Sequence, residues 1–127
     1  MNLPDAMKAA ARPVIVDLMR EVRAIQAVVI ATEDGFELAA HAQNKAQISR
    51  LSAMASSMGA LGVMAGEESR LGACESITVE AAEGYILMLQ ARHQRVTLIL
   101  SIIASRDAIM GQALFYGRQA VRRLEKL

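Results

Sequence analysis

The sequence is poor in residues that cross-link a small protein, restrict its backbone or supply large aromatic side chains to its core. It contains one cysteine, two prolines, no tryptophan and only four phenylalanines and tyrosines among 127 residues. The single cysteine, Cys74, excludes a disulfide within the chain and suits a reducing compartment. Aromatic residues make up 3% of the chain and hydrophobic residues 54%. The core is therefore expected to be aliphatic and rich in methionine.

An excess of one charge and a long apolar run are also missing. The net charge of +1 gives no general argument for binding nucleic acid or an anionic membrane. No stretch is long enough to insert into a membrane, and residues 1–12 lack the apolar run of a secretory signal. We therefore expect a cytoplasmic protein whose residues 1–127 form a single domain.

The sequence motifs of common enzymes and metal sites are absent. The phosphate-binding motif Gly-x-x-x-x-Gly-Lys does not occur, and His41 and His93 have no neighbours at metal-ligand spacing. The acidic residues Glu67, Glu68 and Glu75 fit a solvated helix end better than a pair of catalytic carboxylates. We expect no catalytic residue, no cofactor and no metal, and hence a chain that is not an enzyme.

What the sequence does contain is an uncharged stretch from Leu51 to Gly66, in which ten of sixteen residues are Gly, Ala or Ser. Helical spacing divides it into two stripes. The first stripe is Ile48, Leu51, Ala55, Met58 and Gly62, and the second is Met54, Ser57, Leu61 and Met64. A glycine inside a helix costs about 1 kcal/mol relative to alanine, so we expect another backbone to approach these glycines closely.

Two arrangements fit such a helix. It is either buried within one domain, or its first stripe packs on its own sheet and its second stripe on a second copy of the chain. The second arrangement suits the sequence better, because a chain of this length cannot easily enclose a helix on all sides.

The first half of the chain otherwise predicts a helix and a hairpin. The helix starts near Leu3 and either begins again or kinks at Pro13. Two strands, Ala27 to Thr32 and Phe36 to His41, flank an Asp-Gly turn, and Phe36 lies on the same face of the second strand as Leu38 and Ala40. The central helix then begins at an N-cap, Asn44 with Gln47, and ends at Gly72.

The second half predicts three strands and a last helix. The strands are Cys74 to Glu80, Tyr85 to Ala91 and Val96 to Ala104. The first is the most polar and is the expected edge strand, whereas the other two are covered on both faces. Ser105 and Asp107 are expected to cap the last helix. This order predicts an α+β fold, in which a five-stranded antiparallel sheet carries one long helix on one face and two on the other.

Two segments resemble Roadblock/dynein-light-chain domains. The first, Ala-Val-Val-Ile-Ala-Thr-Glu-Asp-Gly-Phe-Glu-Leu-Ala from Ala27 to Ala39, is similar to the first hairpin of that family. The second, Ile99 to Arg123, is similar to its last strand and helix, in which a glycine (here Gly111) precedes an arginine-rich end. The resemblance covers about residues 14–124, the expected core. It departs at Arg23 to Gln26, where the family usually has Pro-Gly before the first strand.

The resemblance implies a sheet order of 2-1-5-4-3 and homodimers with paired central helices and paired third strands. It also implies binding to a small Ras-like GTPase; bacterial members include the GTPase-activating protein of a gliding-polarity switch. The expectation is thus a non-enzymatic bacterial regulator or scaffold, which either stimulates GTP hydrolysis by its partner or only binds it. A small-molecule sensor or a purely structural dimerisation module is the alternative.

Two sets of surface residues follow from these expectations. The predicted dimer interface consists of Met54, Ser57, Leu61 and Met64 on the central helix and Ile77 and Val79 on the third strand. The candidate surface for a partner protein consists of Arg50, Ala53, Ser56, Ala60, Glu67 and Glu68.

Overall fold

The computed structural model describes residues 3–127, which form three helices and five strands. In chain order the elements are α1 (Asp5–Glu21), β1 (Ile25–Thr32), β2 (Glu37–His41), α2 (Lys45–Glu68), β3 (Ser76–Ala81), β4 (Gly84–Arg92), β5 (Thr97–Ser105) and α3 (Met110–Glu125). The element order predicted from the sequence is confirmed.

The five strands form one sheet in the order β2-β1-β5-β4-β3. Every neighbouring pair is antiparallel, and β5 lies at the centre between β1 and β4. The order implied by the family resemblance is therefore confirmed. Strand β3 pairs only with β4 and is an edge strand, as its more polar sequence predicted.

Helices cover the two faces of the sheet unequally. Helix α2 alone packs on one face, where Leu51 and Ala55 meet Val29, Met88 and Ile99. Helices α1 and α3 cover the other face and enclose the larger core, which extends from helix α1 to the end of α3. Its largest fully buried side chains include leucines and isoleucines, each worth about 1.5–3 kcal/mol when removed from water.

The Asp-Gly turn of the first hairpin forms as predicted, but Phe36 is not the first residue of the second strand. The Thr32 hydroxyl donates to Asp34 Oδ1 at 2.6 Å and accepts from the Phe36 backbone N–H at 2.9 Å, and Gly35 has a φ of +96°. Strand β2 begins only at Glu37. Phe36 thus belongs to the turn, and its side chain is 46% exposed.

The start of α2 was predicted correctly. Asn44 is the N-cap, and its Oδ1 accepts a hydrogen bond from the Gln47 backbone N–H at 2.8 Å. The Gln47 side chain reaches back by one residue more than in a standard capping box, and accepts from the Gln43 N–H at 2.9 Å. The cap satisfies helix N–H groups that would otherwise lack partners.

The predicted end of α2 at Gly72 is wrong. The helix ends at Glu68, and Arg70 takes the left-handed conformation with a φ of +58°. The Arg70 N–H donates to Glu67 O at 3.1 Å and the Leu71 N–H to Gly66 O at 2.9 Å. These two bonds form a Schellman motif, which stabilises the last turn without a glycine at the left-handed position.

The other two helices were predicted less completely. Of the two alternatives for α1, the structure excludes a new start at Pro13, because α1 is one helix that contains it, with Met7 and Ala11 buried in its first half. Helix α3 is not capped by Ser105 and Asp107. Its N-cap is Ile109, which has no side-chain hydrogen bond, because the chain first makes a separate turn between Ser105 and Ala108.

Candidate interaction surface

The outer face of α2 is apolar and exposed. Three of the four residues in its second stripe are large, and their exposed fractions are 41% for Met54, 63% for Leu61 and 59% for Met64. Ser57, the fourth, is also exposed. Large apolar groups clustered on one helix face mark an interaction site more often than do isolated ones. The first stripe faces the sheet, where Leu51 and Ala55 are buried.

The glycines of α2 face the chain's own sheet and the segment that leads into β3, not the exposed face. A methyl group added to Gly59 would lie 2.9 Å from Ile99 Cδ1, and one added to Gly62 would lie 2.7 Å from Cys74 Sγ. Only the contact of Gly66, with the Gly72 carbonyl, involves backbone. The expectation of close backbone approach is therefore correct for one glycine and wrong for two.

The residues of the candidate partner surface divide between three parts of the helix. Ser56 and Ala60 line one flank of α2, beside a groove of about 160 Å³ that Val63, Glu33 and Gln90 also line. Arg50 and Ala53 lie on the exposed face near the start of the helix. Glu67 and Glu68 lie at its end, around a separate open depression with Met64. The structure therefore brings Ser56 and Ala60 together but not all six residues.

The groove is a feature that sequence reasoning missed. Val63 is 37% exposed and stands apart from both predicted stripes. Gln90 comes from the far strand β4, and Glu33 from the turn after β1. Only the helical spacing of Ser56, Ala60 and Val63 gave a signal in the sequence.

Strand β3 contributes its two predicted interface residues from the α2 side of the sheet. Ile77 and Val79 are half-buried and pair with Met88 and Ile86 on β4. Ile77 also lies below α2, because a methyl group on Gly62 would lie 3.0 Å from its Cδ1. Both residues therefore lie on the α2 face, at the free edge of the sheet.

The charges at the ends of α2 are opposite to those that stabilise a helix. Lys45 is its first residue, and Glu67 and Glu68 are its last two. Because a helix carries partial positive charge at its N-terminus and negative charge at its C-terminus, each such group is disfavoured by about 0.3–1 kcal/mol in an exposed helix. The ion pairs formed within residues 3–127 include none of these three side chains.

The residues considered for chemistry lie apart from one another. His41 is exposed at the end of β2, whereas His93 Nε2 lies 2.6 Å from the Leu127 carbonyl oxygen. The Cys74 thiol is half-buried and donates to Ser76 O at 3.7 Å. Across the part of the chain that the structure describes, no three His, Cys, Asp or Glu side chains are grouped as a metal site would need.

A perturbed pKa occurs at one arginine on the opposite side of the sheet. The hydrogen bond from Arg106 to Glu80, at 2.9 Å, raises the pKa of the guanidinium, which also stacks over Tyr85 at 5.2 Å from the ring centroid. A guanidinium is already charged at neutral pH, so this shift leaves its protonation unchanged.

Among the helices of residues 3–127, none has the length and apolarity to cross a bilayer.

Comparison with solved structures identifies this architecture. A Roadblock/LC7 domain from Streptomyces avermitilis superposes with a TM-score of 0.81 at 19% sequence identity, over 89% of this chain and 92% of that one. The chain has the Roadblock/LC7 fold. MglB from Myxococcus xanthus gives a TM-score of 0.84 at 13% identity, over 99% and 92% of the two chains. The gliding protein MglB from Thermus thermophilus gives 0.82 at 18% identity, over 98% and 92%.

These similarities confirm the fold implied by the sequence resemblance. No model of a protein family matches the sequence, and no curated protein matches it either. At such low identities the likeness lies in the Roadblock/LC7 architecture and not in shared residues.

Proposed function

We propose that this Roadblock/LC7-fold chain is a non-enzymatic homodimeric regulator that binds a small Ras-like GTPase. The observation that carries the proposal is the exposed apolar face of α2, with Leu61 and Met64 each more than half exposed. The structural likeness to MglB, a gliding protein, and the family resemblance of the sequence support the choice of partner. One of the similar solved structures is of MglB in a tetrameric arrangement.

The reversed charges of α2 support antiparallel pairing with a second copy. In such a pair, Glu67 and Glu68 of one copy lie beside the helix N-terminus, Lys45 and Arg50 of its mate. Each unfavourable charge then faces a helix end and side chains of opposite sign. An antiparallel pair also places the apolar residues of both copies at its centre, with the charged residues at its rim. In the same pair, the free edges of the two β3 strands meet at the dimer interface.

The GTPase is proposed to dock across both α2 helices, at the groove beside Ser56 and Ala60. Small side chains there allow another backbone to approach, and Val63 supplies an apolar contact. Glu33 and Gln90 provide hydrogen-bonding groups at the rim of the groove. In this proposal the regulator only binds its partner, and the partner hydrolyses GTP.

A binding measurement with variants at two alanines tests this proposal. The probe is a purified small Ras-like GTPase from the same organism, loaded with a non-hydrolysable GTP analogue. Ala60→Trp is expected to weaken its binding while leaving the homodimer intact. Ala9→Trp, at an exposed position on α1, is the matched control and is expected to bind normally. If Ala60→Trp binds the GTPase as tightly as wild type, the docking surface lies elsewhere.

The absence of catalysis is tested separately. The purified chain alone is expected neither to bind nor to hydrolyse GTP. Stoichiometric nucleotide on the chain, detected by chromatography of a denatured sample, would contradict the non-enzymatic part of the proposal. Stimulated GTP turnover in the presence of both proteins would show that binding activates the GTPase, and unchanged turnover would indicate a scaffold.

A further inference from the structure

A second surface lies on the sheet face opposite α2, between α3 and the end of β4. It is a cleft of about 190 Å³. Leu89, which is 2% exposed, and the half-buried Val121 provide apolar lining. Three arginines also line it, namely Arg92, Arg118 and Arg122. Gln90, which lines the proposed GTPase groove, also reaches this cleft, but the proposed function uses none of the apolar residues or arginines just named.

The needs of the fold explain these arginines only in part. Arg122 lies in the last turn of α3, where a cation is favoured by the helix dipole. Arg118 lies a full turn earlier, where that effect has faded, and like charges four residues apart on a helix repel. The ion pairs formed among the described residues include neither Arg118 nor Arg122.

The third arginine is held at the cleft by backbone contacts. Arg92 Nη2 donates to Cys74 O at 3.2 Å, and the Arg92 backbone N–H donates to Glu125 Oε2 at 2.8 Å. Glu125 is thereby oriented toward the strand backbone. Because a guanidinium has five N–H donors and Arg92 uses few of them here, donors remain for a ligand.

We propose that this cleft binds an acidic segment of a partner protein, with an apolar side chain seated between the arginines. Guanidinium groups match carboxylates in flat, paired hydrogen bonds, and Leu89 with Val121 gives the apolar contact. Glu75 and Glu125 also line the cleft. They repel a continuous polyanion, so the cleft favours a peptide with separated carboxylates over nucleic acid or an anionic membrane.

The test is a titration followed by NMR, using a short synthetic peptide in which one leucine is flanked by glutamates. We expect shifts confined to backbone amides and arginine Nε–H groups of the cleft, and none with a peptide in which glutamine replaces glutamate. The variant Arg118→Gln/Arg122→Gln is expected to bind roughly a hundredfold more weakly, about tenfold for each arginine. The control Lys8→Gln/Arg23→Gln loses the same charge at exposed positions and is expected to bind within about twofold of wild type.

Three results would overturn the proposal. The first is that the glutamate peptide fails to shift the cleft resonances, and the second is that the control variant loses as much affinity as the arginine variant. The third is that the ligand whose binding depends on the arginines belongs to another chemical class. For the last, an oligothymidylate and phosphatidylserine vesicles are titrated in parallel. Because Arg118 and Arg122 lie on α3, across the sheet from α2, dimerisation and GTPase binding can be measured on the same variants and judged separately.

Discussion

Truncating Leu61 to alanine separates the stability of the folded chain from the stability of the proposed dimer. The substitution removes three carbons, worth about 2.4 kcal/mol when fully buried at roughly 0.8 kcal/mol each. Leu61 is 63% exposed in the single chain, so about 1.5 kcal/mol of that value is available to a second copy. A symmetric dimer contains the residue twice, which gives about 3 kcal/mol and roughly a hundredfold weaker dimerisation.

The same reasoning gives a smaller effect on folding. The buried part of the side chain accounts for the remaining 0.9 kcal/mol or so, and alanine returns part of it through its higher helix propensity. Dimer dissociation is measured by analytical ultracentrifugation over a range of concentrations, and folding by urea denaturation. Ile109→Ala is the matched control, because Ile109 has the same number of carbons and is 64% exposed at the start of α3, away from α2.

Two outcomes would refute this argument. The wild-type chain could sediment as a monomer at micromolar concentration, in which case the apolar face of α2 has another occupant. Alternatively, Leu61→Ala and Ile109→Ala could dimerise with equal affinity, which would place the interface away from α2.

Three further substitutions test local packing, each by its effect on the free energy of unfolding in urea. Gly66→Ala is expected to destabilise by more than about 1 kcal/mol, because the new methyl group meets the fixed Gly72 carbonyl. Gly111→Ala, which meets nothing within 4 Å, is expected to stabilise by about 0.4–1 kcal/mol. Arg70→Gly is expected to stabilise by about 1 kcal/mol, since the φ of +58° suits glycine. A change in the free energy of unfolding with the opposite sign, at any of the three positions, would contradict the geometry described for that position.

Features fixed by neighbouring residues were predictable from the sequence. The Asn44 cap depends on residues within one turn, and the Asp34-Gly35 turn on its two central residues. The edge position of β3 followed from its polarity, because a strand with one free edge and an exposed face tolerates polar groups. Short-range chemistry of this kind needs no knowledge of the rest of the fold.

The failures occurred where a distant segment or a competing hydrogen bond decides the outcome. Gly72 was expected to end α2, but the chain reaches the left-handed conformation two residues earlier, at Arg70. Gly72 has a φ of +89°, which favours glycine, and its carbonyl passes close to the Cα of Gly66, where a side chain would clash. Phe36 fits an alternating strand pattern, yet the hydrogen bonds of Thr32 hold it in the turn. The sequence shows which residues alternate, but not which hydrogen bonds compete with the strand.

The position of the glycines changes what kind of dimer contact to expect. Gly59, Gly62 and Gly66 face the chain's own sheet and the loop before β3. They therefore do not allow a second helix to approach the outer face of α2 more closely. That face presents Leu61 and Met64, whose side chains would hold the two helices of the proposed dimer apart. Paired α2 helices should therefore pack with side chains interdigitated, at the ordinary interaxial distance of about 8–10 Å and not at the shorter distance of a glycine seam. Contact by interdigitated side chains also explains why truncating one leucine is expected to matter so much.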